Sequence, residues 1–246
     1  MPMPMPMPMP KLERANAGLH PHVVQKVLSR VPNRHARIVD LGCGSGAMLA
    51  RLLAQGYQDL HGIDIALPAD PAPGISFTEA DLDAPVLPFQ AGSLDLVLCV
   101  EFIEHVENSG ALLREVARVL HPDGRLLLTT PNLHSVEARL RWLLLGQLKQ
   151  FDTIGDPTHI APVFSHPFAL LLQRHGLQVE QRWGFPEDGS SPTSRPALRM
   201  AARLLRGLGL QGEPAGDQLC LWVRRSPQAN AIAPTDKRQA ITAHYG

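Results

Sequence analysis

Two groups of residues in this 246-residue chain have the types and spacing to do chemistry. The first is Glu101, Glu104 and His105, which follow the apolar run Leu94–Val100. If that segment is helical, the i, i+3, i+4 spacing puts all three side chains on one face. Two carboxylates and an imidazole together can hold a hard divalent cation, or one of them can take a proton from a hydroxyl. The plainer alternative is that Glu101 faces a pocket while Glu104 and His105 only cap and orient the next segment. The second group is Asp40-Leu41-Gly42-Cys43-Gly44-Ser45-Gly46, directly after the apolar residues Ile38 and Val39. Alternate glycines let the backbone turn sharply and approach a ligand where any Cβ would collide. Asp64 follows about 20 residues on, where a nucleoside-binding α/β unit places its ribose acceptor.

The glycine loop fits two adenosine ligands. Gly42-x-Gly44-x-x-Ala47 satisfies a relaxed dinucleotide pattern, with Asp64 on the ribose. That ligand needs a pyrophosphate at the helix start, where a carboxylate is unwelcome. S-adenosylmethionine (SAM) has no phosphate and carries an ammonium and a sulfonium, so Asp40 beside the loop favours it. Asp81, after a third short apolar segment, is placed to accept from an adenine amino group.

These residues need a frame. The hydrophobic periodicity predicts a helix over His20–Val31, a strand over Arg37–Leu41 and a helix over Ala47–Gln55. Strands follow at Leu60–Ile65, Ile75–Ala80 and Leu94–Val100, the last apolar enough to be buried on both faces. A helix over Ala111–Leu120 stops at His121-Pro122-Asp123-Gly124, and Arg125–Thr130 is a fifth strand. Such alternation with short connections is that of a doubly wound α/β domain. Beyond Pro131, helices are expected at Val136–Leu148, Phe168–His175 and around Leu198–Leu208, with strands at Leu177–Phe185 and Asp217–Arg224. The domain is expected to run from 19 to 225. Residues 1–18, with their five Met-Pro repeats, and 226–246 are expected to be disordered tails.

From Ile38 to Pro131 the chain resembles the class I SAM-dependent methyltransferases. The resemblance rests on the glycine loop, Asp64, Asp81, the segment after the fourth strand and the Leu120-x-Pro122-x-Gly124 turn. It implies a Rossmann-like α/β fold: a mostly parallel seven-stranded sheet with helices on both faces and a C-terminal antiparallel hairpin. It implies SAM held by Asp40, Gly42, Gly44, Gly46, Asp64, Ile65, Asp81 and Leu82, and methyl transfer to a small molecule. Glu-x-x-Glu-His is similar to the metal-binding stretch of ubiquinone-biosynthesis O-methyltransferases and of small-RNA 3′-end 2′-O-methyltransferases. The latter add a histidine further along, for which His159 is the candidate here. The ligand set implied is Glu101, Glu104, His105 and His159, for Mg²⁺ or another divalent cation, with His105 or Glu101 as the catalytic base. The rivals are an NAD-dependent oxidoreductase and a SAM-binding module without catalysis.

Composition narrows the partners. Lys+Arg and Asp+Glu are both 23, so no global field draws in nucleic acid, and none is expected as a partner. Three cysteines without ligand spacing read as reduced core thiols. Segments 132–170 and 186–212 are expected to form a substrate lid. Its residues Trp142, Leu143, Leu144, Phe151, Phe164 and Phe168 suit an apolar or lipid-linked acceptor, although most of them also fit as the lid's own core. Arg195, Arg199, Arg203 and Arg206 lie at helical spacing opposite leucines. That 195–208 helix presents either a solvated arginine face or a contact with an anionic membrane surface. A cytoplasmic protein, peripheral to the inner membrane in the second case, is the expected location.

Overall fold

The computed structural model describes residues 15–152 except 85, residues 156–187, residues 200, 204 and 205, and residues 213–226. The strands are β1 (Arg37–Leu41), β2 (Asp59–Asp64), β3 (Ser76–Glu79), β4 (Leu94–Val100), β5 (Leu120–Pro131), β6 (Leu177–Phe185) and β7 (Gln218–Arg225). The helices are α1 (Leu19–Arg30), α2 (Ala47–Ala54), α3 (Ser109–Val119), α4 (Val136–Leu145) and α5 (Ser165–Arg174), with a 3-10 turn at Ile103–His105. Most expected elements stand within two or three residues of their predicted ends. The helix expected to reach Leu148 ends at Leu145, because Gly146 takes a left-handed φ of 65° and closes it. The helix expected from Phe168 begins three residues earlier, at Ser165.

One seven-stranded sheet runs in the order β3-β2-β1-β4-β5-β7-β6, parallel except for the antiparallel pairs β5/β7 and β6/β7. The Rossmann-like sheet with its C-terminal antiparallel hairpin is therefore as expected. The strand order reverses between β1 and β4, and the carboxyl ends of those two strands open a crevice there. Gly124 makes the tight excursion inside β5 possible, since a Cβ on it would lie 2.7 Å from the Leu94 carbonyl oxygen.

Two apolar layers hold the sheet. One face packs Val39, Leu41, Val97, Leu126 and Leu128 against α3 and α5. The other packs Ile38, Leu96, Leu98 and Trp222 against α1 and α2. All three cysteines are buried and none is in a disulfide. Among the described residues, no helix is long and apolar enough to cross a membrane.

The segment after β5 is fixed by a buried polar cluster. Lys149 Nζ donates to Glu137 of α4 and to Asp217 at the start of β7, both at 2.9 Å. Asn132 Nδ2 donates to the carbonyls of Glu213, Ala215 and Gly216. Among the described residues the tip of α4 has no such cover: Trp142, Leu143, Leu144 and Leu145 are 59–74% exposed. Of the apolar lid residues, Phe168 does pack in the core, whereas Trp142, Leu143 and Leu144 do not. The arginines of the expected 195–208 helix lie outside the described residues. So do the Met-Pro repeats and residues 227–246.

Candidate active site

The crevice is a cleft of about 380 Å³, the size of a small-molecule site, walled by the ends of β1 and β4, α1, Gln150 and residues 156–159. Its floor is the glycine loop. Gly42, Gly44 and Gly46 all take positive φ (70°, 51° and 74°), which the alternate spacing anticipated. A Cβ on Gly42 would meet the Phe102 ring at 2.1 Å, so space as well as conformation demands glycine there. The loop is tied to β2: Gly42 N and Cys43 N both donate to the Ile63 carbonyl, and Gly44 N donates to Asp64 Oδ2 at 2.7 Å. Asp64 Oδ1 also accepts from Ile65 N at 2.8 Å. The ribose candidate is thus held rigidly by the loop it serves.

Asp40 lies under the loop, 3% exposed, and also lines the cleft. Burial pushes its carboxyl up to about 8, with the Asp64 charge adding to the effect. It is mostly protonated at neutral pH, and a cation entering the cleft would draw the proton off.

Glu101 forms the opposite wall. The sequence spacing treats it as one helical turn with Glu104 and His105, and the structure corrects this. Glu101 leaves the end of β4 in a left-handed conformation, φ 50°, and only Ile103–His105 are helical. A non-glycine residue held there costs on the order of 1–2 kcal/mol, offset by its surroundings. Glu101 N donates to Thr129 O and Oγ1, and the Thr129 hydroxyl donates to Glu101 Oε1 at 2.9 Å. Burial pushes its carboxyl up to about 7, which the Thr129 and Gln218 side chains partly oppose.

The side chains that do converge are Glu104, His105 and His159, whose ligand atoms all lie within 4.8 Å of one another. Glu101 is outside this group. Neither Glu104 oxygen has a hydrogen-bond partner, and the residue is fully buried. Burial raises its carboxyl well above the usual range and the Glu101 charge adds to that. The Thr130 hydroxyl opposes the rise from nearby but falls short of a hydrogen bond. His105 Nδ1 donates to the Thr158 carbonyl at 3.1 Å and His159 Nδ1 to the Gln150 carbonyl at 2.8 Å. A backbone carbonyl can only accept, so Nδ1 is the donor in both rings, and the neutral tautomer that makes this bond has its lone pair on Nε2. Burial, and then His159, holds the His105 imidazole below its ordinary value, which keeps it neutral.

The remaining expected residues divide. Ile65 is 72% exposed at the end of β2, open to a flat ring. Leu82 is buried in the core, so only its backbone can face a ligand. Asp81 is exposed and accepts from Asp83 N at 2.9 Å, away from the described cleft lining. His134 accepts from Ser165 N and is structural. Sequence reasoning missed Asn16, His20, Gln150 and Thr158, all of which line the cleft. His20 had left a signal: an imidazole at i, i+4, i+7 with Val24 and Val27, on the apolar stripe of α1.

A glycine loop at the switch point, an acid fixed at the end of β2 and a strained acid after β4 define the class I SAM-dependent methyltransferase fold. The chain belongs to the methyltransferase domain family whose model matches residues 14–182. It is similar to ubiquinone biosynthesis O-methyltransferases. One from Xanthomonas oryzae pv. oryzae is 35% identical over 178 residues, covering 66% of this chain and 71% of that protein. One from Xylella fastidiosa is 30% identical over 172 residues, covering 66% and 69%. Solved structures share the fold. A SAM-dependent methyltransferase from Archaeoglobus fulgidus superposes with a TM-score of 0.56 at 18% identity, over 84% of this chain and 94% of that one. The Burkholderia thailandensis 1,6-didemethyltoxoflavin-N1-methyltransferase, solved with S-adenosylhomocysteine, gives 0.53 at 15%, over 84% and 78%. The protein is a SAM-dependent methyltransferase, and the oxidoreductase alternative falls away.

Proposed function

We propose that the protein transfers the SAM methyl group to an oxygen of a small acceptor, with a divalent cation held by Glu104, His105 and His159. The observation that carries this reading is the convergence of those three side chains beside the cleft, with Glu104 buried and unpaired. A buried carboxylate without donors is costly unless it meets a cation, and two imidazoles whose Nδ1 atoms are turned to backbone carbonyls leave Nε2 of each to complete a donor set that fits one. Names of relatives at 30–35% identity support an oxygen acceptor of the phenol type. A sugar or glycolipid hydroxyl is the alternative acceptor.

SAM supplies an electrophilic methyl: the acceptor oxygen bonds to the methyl carbon while the sulfur departs with the electron pair. The chain supplies alignment and charge. The glycine loop and Asp64 hold the adenosine end, and Asp40 faces the ammonium. A cation held by Glu104, His105 and His159 would supply Lewis-acid stabilisation to a hydroxyl that is losing its proton. Glu101, in the cleft wall and with a carboxyl near 7, takes the hydroxyl proton. His105 serves as a ligand in this scheme, not as the base.

The acceptor is proposed to be lipid-linked, and α4 to meet the membrane that carries it. Four consecutive residues, Trp142 to Leu145, cover nearly the whole circumference of the last helical turn, and all are exposed. A protein partner would cover one face of that turn, whereas a fluid apolar phase covers every side. On this reading α4 makes the contact.

The test is turnover of labelled SAM on phenols, nucleotide sugars and lipid-linked acceptors after EDTA treatment, with and without added Mg²⁺ or Mn²⁺. We expect an O-methyl product, activity restored by the metal, and no restoration in Glu104→Gln. Full turnover in EDTA would remove the metal, and a methylated nitrogen or carbon would remove the oxygen acceptor.

A further inference from the structure

We infer that Phe102 reads the positive charge of the methyl donor, its ring lying against the sulfonium of SAM and setting SAM apart from the S-adenosylhomocysteine left after transfer. The two ligands carry the same polar groups and differ by one methyl and the charge it brings to sulfur. A sulfonium has no N–H to donate, and the face of an aromatic ring, negative at its centre, attracts such a cation. The wall at that point must also be inert. Each carboxylate, imidazole, amide, hydroxyl, thiol and thioether of the cleft lining meets a cation through a lone pair. A lone pair brought close to the sulfonium is also brought close to an electrophilic carbon, and competes there with the acceptor. A phenyl ring has none. Among the described lining residues Phe102 is the one phenyl, and neither tyrosine nor tryptophan stands beside it.

The position follows from the glycine loop. Asp40 faces the ammonium in the proposed scheme, and Gly44 N fixes Asp64, the ribose candidate, at 2.7 Å. The sulfur of SAM lies between those two groups, bonded to the ribose carbon and separated by two methylenes from the carbon that bears the ammonium. It must therefore pass the loop near Gly42, between Asp40 and Gly44. A Cβ on Gly42 would lie 2.1, 2.4 and 2.8 Å from Cδ2, Cγ and Cε2 of Phe102. Three neighbouring carbons at such similar distances mark an approach to the face of the ring, since at its rim one carbon would be much the nearest. The ring is thus turned face-on to the loop along which SAM lies. Phe102 is half-buried, packs against the core layer of α3 and α5, and accepts from His105 N at 3.0 Å through its carbonyl. A ring held in place before the ligand arrives loses little freedom on binding it. The inference rests on the readings of Asp40 and Asp64, but on neither the acceptor nor the metal.

The experiment is isothermal titration calorimetry of the full chain with SAM and with S-adenosylhomocysteine, in EDTA and without acceptor. Fluorine draws negative charge from the ring face with little change of shape, so Phe102 is replaced in turn by mono-, di- and trifluorinated phenylalanine. SAM affinity should fall stepwise along the series, by about fivefold or more at its end, while S-adenosylhomocysteine stays within about twofold throughout. Phe102→Leu should show the same split, and should it fail to fold the fluorinated series carries the comparison. A flat series for SAM, or parallel losses for both ligands, would mean that Phe102 only packs and would overturn the assignment. Asp40→Asn serves as the control: both ligands carry the ammonium, so it should weaken both, and a fault in the reading of Asp40 shows there separately.

Discussion

Replacing Asp40 by asparagine should make the ligand-free protein more stable while weakening its hold on SAM. Asp40 is fully buried, and its carboxyl rises from 3.8 to about 8 on folding, chiefly through desolvation. The sign follows from linkage. A carboxyl raised on folding binds more protons in the native than in the unfolded state. Its contribution is therefore fully present below the unfolded value and is lost as pH rises towards the folded one. At pH 7 the unfolded side chain has been ionised over about three pH units while the folded one still holds its proton, which at about 1.4 kcal/mol per unit amounts to roughly 4 kcal/mol. A neutral asparagine side chain bears no such load. Asp40→Asn should thus gain up to about 4 kcal/mol at pH 7, or a Tm rise of roughly 10 °C for a domain of this size. Near pH 4 the advantage should shrink below about 1 kcal/mol. Urea unfolding at pH 4, 5.5 and 7 measures this, and calorimetry with S-adenosylhomocysteine should show binding weakened about tenfold or more. A variant that is no more stable at pH 7, or whose advantage does not grow with pH, would refute the reasoning.

The other predictions concern the elements that carry the site. Lys149→Met leaves Glu137 and Asp217 as neighbouring carboxylates without their shared cation, so it should cost about 3–5 kcal/mol by urea unfolding. Adding Asp217→Asn should return part of that loss. Leu143→Ser with Leu144→Ser, both exposed, should leave stability within about 0.5 kcal/mol. The same pair should reduce cosedimentation with phosphatidylglycerol-containing vesicles by on the order of tenfold or more. Unchanged sedimentation would remove the membrane contact at α4.

The proposed function rests on residues that stability alone would not choose. Asp40, Glu101 and Glu104 are three buried carboxyls near one crevice, and burial raises all three. Charges kept out of water respond most strongly to a cationic ligand.

Local information was enough for the frame. Apolar runs of strand length, the periodicity of α1 to α3 and the glycine spacing are set by residues close in the chain, so β1–β5 and the loop with Asp64 were legible without coordinates. His105 and His159, 54 positions apart, were paired only through resemblance, and the fold brings their rings to 4.7 Å.

Glu101 shows where spacing fails. The same i, i+3, i+4 pattern allows one helical face, but the β4 backbone ends at Glu101 in a left-handed conformation and turns its carboxylate to Thr129. His20 shows the converse, since its type and position were visible while the cleft it faces exists only once α1 packs on α2. The sequence by itself determined the α/β order, the glycine loop and the acids that follow it, because those depend on backbone geometry over short distances. Only the tertiary structure decided which buried acid stands without a donor, which histidines meet and which apolar residues stay in water. Those depend on contacts between segments that the chain order leaves far apart.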